Sequence, residues 1–123
     1  MKSSSFNPDK VLKVKGCNAA SKELVKKVVD FIWQFDKVVV QDFFIGVTNV
    51  PEKRLFEEHK VSRNSNKFLV LEAPIEDVAL EAEKLLLSLD INGGFENDHG
   101  KFLYCYYIDG CTKEFAMHNV LNK

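Results

Sequence analysis

The sequence has little of the residue types whose abundance would define a special class of protein. Its 123 residues include only three cysteines, three prolines and six glycines, which excludes a disulfide framework, a collagen-like repeat and a Gly/Pro-rich linker. No apolar run approaches the ~20 residues that a membrane-spanning helix needs. The polar first ten residues are not typical of a secretion signal, and the odd number of cysteines favours reduced thiols. We therefore expect a cytoplasmic protein that does not associate with membranes.

An excess of either charge is also lacking. Seventeen basic residues stand against 18 acidic ones, which gives a formal net charge of −1. Proteins that bind nucleic acid over an extended surface usually carry a basic excess, because phosphate contacts supply most of the non-specific affinity. The balance argues against such a surface and leaves room for a local basic patch.

The length and hydrophobic content indicate one domain. A chain of 123 residues with 46% hydrophobic residues can bury a core of its own, and no internal repeat or linker divides it. We therefore predict a single domain over residues 1–123, with residues 1–10 as a loose N-terminal segment.

Helical and strand patterns alternate along the chain. Apolar residues recur at helical spacing over residues 21–35, after a candidate N-cap at Ser21, and again over residues 75–89. A further short helix is expected from Pro51, and a closing helix over residues 115–121. Residues 11–15, 38–47, 68–71 and 102–108 are typical of strands. The pattern predicts an α+β fold in which about three helices cover a small central sheet of three or four strands.

Residues 43–59 carry the most informative motif, FFIGVTNVPEKRLFEEH. An aromatic-Ile-Gly strand leads into a turn at Thr48 and Asn49, and a helix follows with Arg54 and then His59. A strand over residues 68–71 comes next, and after it a helix with Glu83 ahead of a leucine-rich turn. This ordered set, over residues 43–89, resembles the central motif of the GIY-YIG endonuclease family.

The resemblance implies a GIY-YIG-like fold and a role for each matching residue. Arg54 would contact the scissile phosphate, Glu83 would bind Mg²⁺ or Mn²⁺ through oxygen, and His59 would assist proton transfer. The chain departs from the family at Phe44, where the family has a tyrosine, and it lacks the Gly-Ile-Tyr strand upstream.

The last strand offers replacement phenols. If residues 102–108 pair beside Phe43, Phe44 and Ile45, they take the place of the missing strand as in a circular permutation. Because side chains alternate along a strand, Tyr104 and Tyr106 share one face, and Cys105 and Tyr107 share the other. Either face would present a phenol towards Arg54.

Each candidate residue also has an ordinary structural explanation. Arg54 lies four residues before Glu58, a spacing at which opposite charges pair on a helix. His59 borders the apolar face of its helix, as a hydrogen-bonded structural histidine would. Asn49 suits the turn before that helix.

Residues 92–100 form a polar loop with three glycines. Asn92, Gly93 and Gly94 would let backbone N–H groups approach a ligand phosphate, although the loop matches no dinucleotide or Walker signature. The alternative is a helix C-cap followed by a turn.

Two functions follow from these patterns. The first is a non-catalytic binding module on a GIY-YIG-like scaffold, which recognises a nucleotide-like ligand, nucleic acid or a protein partner. Its binding residues would be Thr48, Asn49, Arg54 and the loop 92–100. The alternative is a nuclease or phosphodiesterase that uses Arg54, Glu83, His59 and Tyr104 or Tyr106, with Mg²⁺ or Mn²⁺ at Glu83. The first function requires no cofactor, and the patterns specify no oligomeric state.

Overall fold

The chain folds around a mixed four-stranded sheet. The computed structural model describes residues 16, 18–94 and 99–114. In that part of the chain the helices are α1 (Ala19–Trp33) and α2 (Glu76–Leu87), and the strands are β1 (Phe43–Thr48), β2 (Phe68–Glu72), β3 (Asn92–Gly93) and β4 (Phe102–Tyr107). A 3₁₀ turn covers Val40–Asp42 and a π-helix covers Lys53–Glu58. The predicted α+β class, with a small sheet and about three helices, is confirmed. The segments predicted at residues 1–10, 11–15 and 115–121 lie outside the described residues.

The strand order places β4 inside the sheet. The order is β2-β4-β1-β3, so β4 pairs antiparallel with both β1 and β2, and β1 pairs parallel with β3 at its other edge. The pairing of the last strand with residues 43–48, which the sequence raised as a hypothesis, is therefore present in the fold.

The two faces of the sheet are covered by different elements. Helices α1 and α2 pack together over one face, where the larger hydrophobic cluster includes Ile32, Ala82, Ile45 and Cys105. The π-helix covers the other face, where Leu55 belongs to a smaller cluster with the aromatic residues of β1 and β4. Among the described helices, none has the length and apolar character that crossing a bilayer requires.

Helix α1 begins earlier than its sequence pattern indicated. Asn18, rather than Ser21, is the N-cap, because its side-chain oxygen accepts the N–H of Ala20 at 2.7 Å. Ser21 lies buried inside the helix, where its hydroxyl donates to the carbonyl oxygen of Val78 at 3.2 Å. This bond ties α1 to α2.

The strand predicted over residues 38–47 is shorter at its start. The carboxylate of Asp42 accepts the N–H of Val39 at 2.9 Å, and the N–H of Asp42 donates to the carbonyl of Val39 at 3.0 Å. These two bonds close a 3₁₀ turn, so β1 begins only at Phe43 and continues to Thr48. The β-branched run at residues 38–40 therefore misled the prediction, because local side-chain bonding outweighs strand propensity here.

Candidate functional site

The β1–β4 pairing brings two tyrosines to the face covered by the π-helix. In the antiparallel register Tyr106 lies opposite Phe44, and Tyr104 lies opposite Gly46. Phe44 and both tyrosines belong to the smaller cluster, whereas Cys105 belongs to the larger cluster on the other face. The alternation predicted from the sequence is confirmed.

Gly46 makes room for the ring of Tyr104. A Cβ atom at this position would lie 2.5 Å from both Cζ and the hydroxyl oxygen of Tyr104, far closer than van der Waals contact permits. The phenol therefore crosses directly over the backbone of β1. Gly46 is therefore needed for packing, a role that the resemblance to the GIY-YIG motif did not indicate.

His59 is the centre of a buried hydrogen-bond network. Its Nε2 lies 3.0 Å from the hydroxyl of Tyr104, and its Nδ1 lies 2.6 Å from the carbonyl oxygen of Lys113. Because a carbonyl only accepts, Nδ1 donates to the Lys113 carbonyl, and Nε2 shares a hydrogen bond with the tyrosine hydroxyl. The ring of Phe44 packs against the imidazole with 4.9 Å between centroids.

Tyr106 extends this network to the segment after β4. Its hydroxyl lies 3.0 Å from His59 Nδ1 and 2.9 Å from the Oε2 atom of Glu114, which also accepts from the hydroxyl of Thr112 at 2.9 Å. The backbone N–H of Lys113 donates to the carbonyl oxygen of His59 at 2.6 Å. The network therefore holds residues 112–114 against the sheet.

The imidazole and both phenols of this network are sealed inside the protein. His59, Tyr104 and Tyr106 each have 0% of their surface exposed. A general base or acid must come within hydrogen-bond reach of its substrate, and these three side chains are instead bonded to protein groups. His59 occupies the environment expected for a hydrogen-bonded structural histidine.

The π-helix positions His59 in this network. The N–H of His59 donates to the carbonyl of Arg54 at 2.8 Å, five residues back, so the last turn is wider than an α-helical turn. The guanidinium of Arg54 forms an ion pair with Glu58, the partner predicted from the i,i+4 spacing. The side chain of Arg54 is thus engaged by Glu58 of the same helix and is only partly exposed.

The residues proposed for metal-dependent catalysis are not brought together. Glu83 lies on α2, whose buried neighbour Ala82 belongs to the cluster on one face of the sheet, whereas Arg54 and His59 lie on the π-helix side. Within the residues that the structure describes, no three His, Cys, Asp or Glu side chains form a group suited to a metal ion. The sequence placed Glu83 on a helix ahead of a leucine-rich turn, but local spacing carries no information about which face of the sheet that helix covers.

An open groove lies where β1 ends. It has a volume of about 500 Å³, within the range typical of small-molecule sites. The Oγ1 atom of Thr48 accepts the N–H of Val50 at 3.0 Å and forms the turn that places Asn49 at the groove. The groove is lined by Asn49, Val50, Pro51, Glu52, Lys53, Glu57, Arg63 and Phe102.

Among the residues that the structure describes, Asn49 is the one predicted binding residue that lines this groove. Lys53, Arg63 and Phe102 also line the groove and were not among the candidates. Phe102 was missed because only its long-range pairing with Thr48 brings β4 to this end of β1. The guanidinium of Arg63 lies 4.4 Å from the ring centroid of Phe56, which holds this cation against the surface.

The loop 92–100 contacts β1 at two different places. Asn92 and Gly93 form β3 beside Phe44 and Ile45, and the Asn92 amide donates to the carbonyl of Gln41 at 2.6 Å. A Cβ at Gly93 would lie 2.2 Å from the carbonyl oxygen of Ile45. Asn92, Gly93 and Gly94 therefore do not line the groove, and the C-cap of the preceding helix is Ser88 rather than one of these three residues.

The far end of the same loop approaches the groove. Gly100 has φ of +149°, and a Cβ there would lie 2.2 Å from the carbonyl carbon of Thr48 and 2.3 Å from the amide nitrogen of Asn49. Only glycine permits this close approach of two backbones. The loop 92–100 thus ends against the turn that presents Asn49.

The two cysteines in the described part of the chain differ in access. Cys105 is fully buried in β4, and this burial raises the pKa of its thiol far above the ordinary value, whereas Cys111 is exposed.

In a Cys17→Ser variant we expect one thiol, that of Cys111, to react with Ellman's reagent at pH 8 in the native state, and the second only after unfolding in guanidinium. Adding Cys111→Ser should abolish the fast reaction. Equal rates for both thiols would contradict the burial of Cys105.

Comparison of the chain with protein-family models, with curated proteins and with solved structures found no match. The case for a function therefore comes from the geometry of the chain itself.

Proposed function

We propose that the protein is a non-catalytic binding module that takes a nucleotide-like ligand in the groove at the end of β1. The observation that carries this proposal is the open groove of about 500 Å³ in which an amide, an aromatic ring and two cations meet. The GIY-YIG-like character of the scaffold remains part of the proposal.

The chemistry of the lining suits the parts of a nucleotide. The amide of Asn49 can both donate and accept towards a base edge, and the half-buried ring of Phe102 offers a face for stacking. Lys53 and Arg63 provide positive charge for a phosphate, and the carboxylates of the groove accept hydrogen bonds from ribose hydroxyls.

Binding has more support than catalysis because the candidate proton-handling groups are enclosed. Tyr104, Tyr106 and His59 are bonded to one another and to residues 112–114. The groove, in contrast, is open and shares no residue with that network.

The test is a titration of ¹⁵N-labelled protein with ATP, with AMP and with a short single-stranded RNA. We expect saturable amide shifts at Asn49, Lys53 and Phe102, and an affinity about tenfold weaker in Asn49→Ala and Phe102→Leu variants, as for the loss of one good polar or stacking contact. Asn64→Ala is the matched control, because Asn64 is exposed on a neighbouring loop and lines no part of the groove.

The outcomes separate the possible ligands. Binding of RNA without binding of ATP would assign nucleic acid rather than a mononucleotide. No saturable shift with any of the three probes, or equal weakening in the Asn64→Ala control, would overturn the proposal and leave a protein partner as the next candidate.

A second candidate function is a metal-dependent nuclease or phosphodiesterase. The observation that favours it is that β4 lies beside β1 and carries Tyr104 and Tyr106 on the same side of the sheet as Arg54. Cleavage of labelled DNA or RNA with Mg²⁺ or Mn²⁺, lost in both Arg54→Ala and Glu83→Ala, would support this function. Its absence with both metals would reject it for those substrates.

A further inference from the structure

A second, smaller pocket lies at the opposite end of β4 from Phe102. It is formed between the loop that joins the π-helix to β2 and the turn that follows β4, and it has a volume of about 140 Å³. Since one water occupies ~30 Å³ of the liquid, this space accommodates a group of about five heavy atoms. The pocket is lined by Lys60, Val61, Ser62, Ser65, Lys67, Tyr107, Asp109, Cys111 and Thr112.

The charges of this pocket favour an anion. The lining includes two lysines, Lys60 and Lys67, and one carboxylate residue, Asp109. That carboxylate is already engaged, because it accepts the N–H of Cys111 at 2.8 Å and lies 3.8 Å from the ammonium of Lys67. The loop over residues 60–67 contains three basic residues and no acidic one, although the whole chain has a net charge of −1. The positive charge is therefore local.

Lys60 adopts a backbone conformation that glycine would adopt more easily. Its φ of +61° lies in the left-handed region, immediately after the residue that ends the π-helix, where glycine is usually found. A lysine here costs about 1 kcal/mol of backbone strain. The side chain that lines the pocket is thus present in spite of this strain.

The walls of the pocket are fixed by their own hydroxyl groups. The hydroxyl of Ser65 donates to the carbonyl of Ser62 at 2.9 Å, and that of Thr112 accepts the N–H of Asp109 at 3.2 Å. Each bond closes a short turn on one side of the pocket. The two turns therefore hold the backbone on both sides of the pocket.

We propose that this pocket binds a phosphate group, either free or as a monoester. A phosphorus atom with four oxygens has the size of the space, and the lining has more lysine than carboxylate residues. The proposal does not rest on the proposed function, because the pocket and the groove at the end of β1 share no lining residue in the described part of the chain.

The experiment is a titration of the ¹⁵N-labelled full chain with inorganic phosphate and, separately, with O-phosphoserine, against sodium chloride at equal ionic strength. We expect saturable shifts at the amides of Lys60, Ser62, Ser65 and Thr112 with phosphate and not with chloride. Tighter binding of O-phosphoserine would assign a monoester, and tighter binding of inorganic phosphate would assign the free ion.

Two variants separate loss of the site from loss of the fold. Lys60→Gly removes one ammonium group and relieves the left-handed strain, so the variant should fold while binding phosphate about tenfold more weakly. Lys67→Gln should weaken binding to a similar degree, and the exposed Lys84 on α2 provides the matched control Lys84→Gln. Shifts that follow chloride alone, or unchanged affinity in a folded Lys60→Gly variant, would overturn the proposal.

Discussion

Replacing Gly46 with alanine is expected to lower the free energy of unfolding by about 3 kcal/mol. The added Cβ would lie 2.5 Å from the ring of Tyr104, in a strand pair that is buried on both sides. Intrinsic preference acts in the opposite direction, since alanine is favoured over glycine in a regular strand by roughly 0.5–1 kcal/mol. A large loss would therefore report the steric conflict alone. Urea unfolding followed by circular dichroism measures it.

The chain offers a control for this substitution. A Cβ at Gly110 would meet no atom within 4 Å, so Gly110→Ala should change the free energy of unfolding by less than about 0.5 kcal/mol. If Gly46→Ala is as stable as Gly110→Ala, Tyr104 does not cross β1 at this point.

Replacing His59 with alanine is expected to destabilise the protein by about 4 kcal/mol. The substitution would empty the space of a fully buried ring and would leave the Tyr104 hydroxyl and the Lys113 carbonyl without their bonds to the imidazole. Residues 112–114 would also lose part of their attachment to the sheet. Faster hydrogen exchange of the Lys113 amide, which donates to the His59 carbonyl, should accompany the loss of stability.

Two further variants show what the imidazole contributes. His59→Phe keeps a ring in the space and removes the polar bonds, so it should recover only part of the lost stability. His99→Ala removes a histidine whose side chain is 69% exposed and should change the free energy of unfolding by less than about 0.5 kcal/mol. Equal stability of His59→Ala and His99→Ala would contradict the network.

The sequence predicted best those elements whose signals are local and periodic. Helices α1 and α2 were found from their apolar spacing, and the faces of Tyr104 and Cys105 were found from strand alternation, because both patterns follow from the backbone geometry alone. Strand β3 was missed because its residues carry no local periodic signal. Its two residues, Asn92 and Gly93, have no strand propensity, and they pair because Gly93 fits against the carbonyl of Ile45.

The candidate site was less predictable than the fold. Asn49 and His59 were identified because both belong to the motif over residues 43–59 that resembles the GIY-YIG family. The groove also needs Phe102 and Arg63, which are brought to Asn49 by strand pairing and by a loop that cation–π contact holds in place. Likewise, the separation of Glu83 from Arg54 depends on which face of the sheet each helix covers. Such relations are set by tertiary packing rather than by spacing.

The position of β4 determines when this protein can fold during its synthesis. Because β4 joins β1 to β2 and follows both in the chain, neither strand has its antiparallel partner until residues 102–107 have left the ribosome. Until then the aromatic edge of β1 and the edge of β2 are open to other chains, and unpaired strand edges of this kind promote aggregation. The central antiparallel pairs of the sheet therefore form only after β4 has been synthesised.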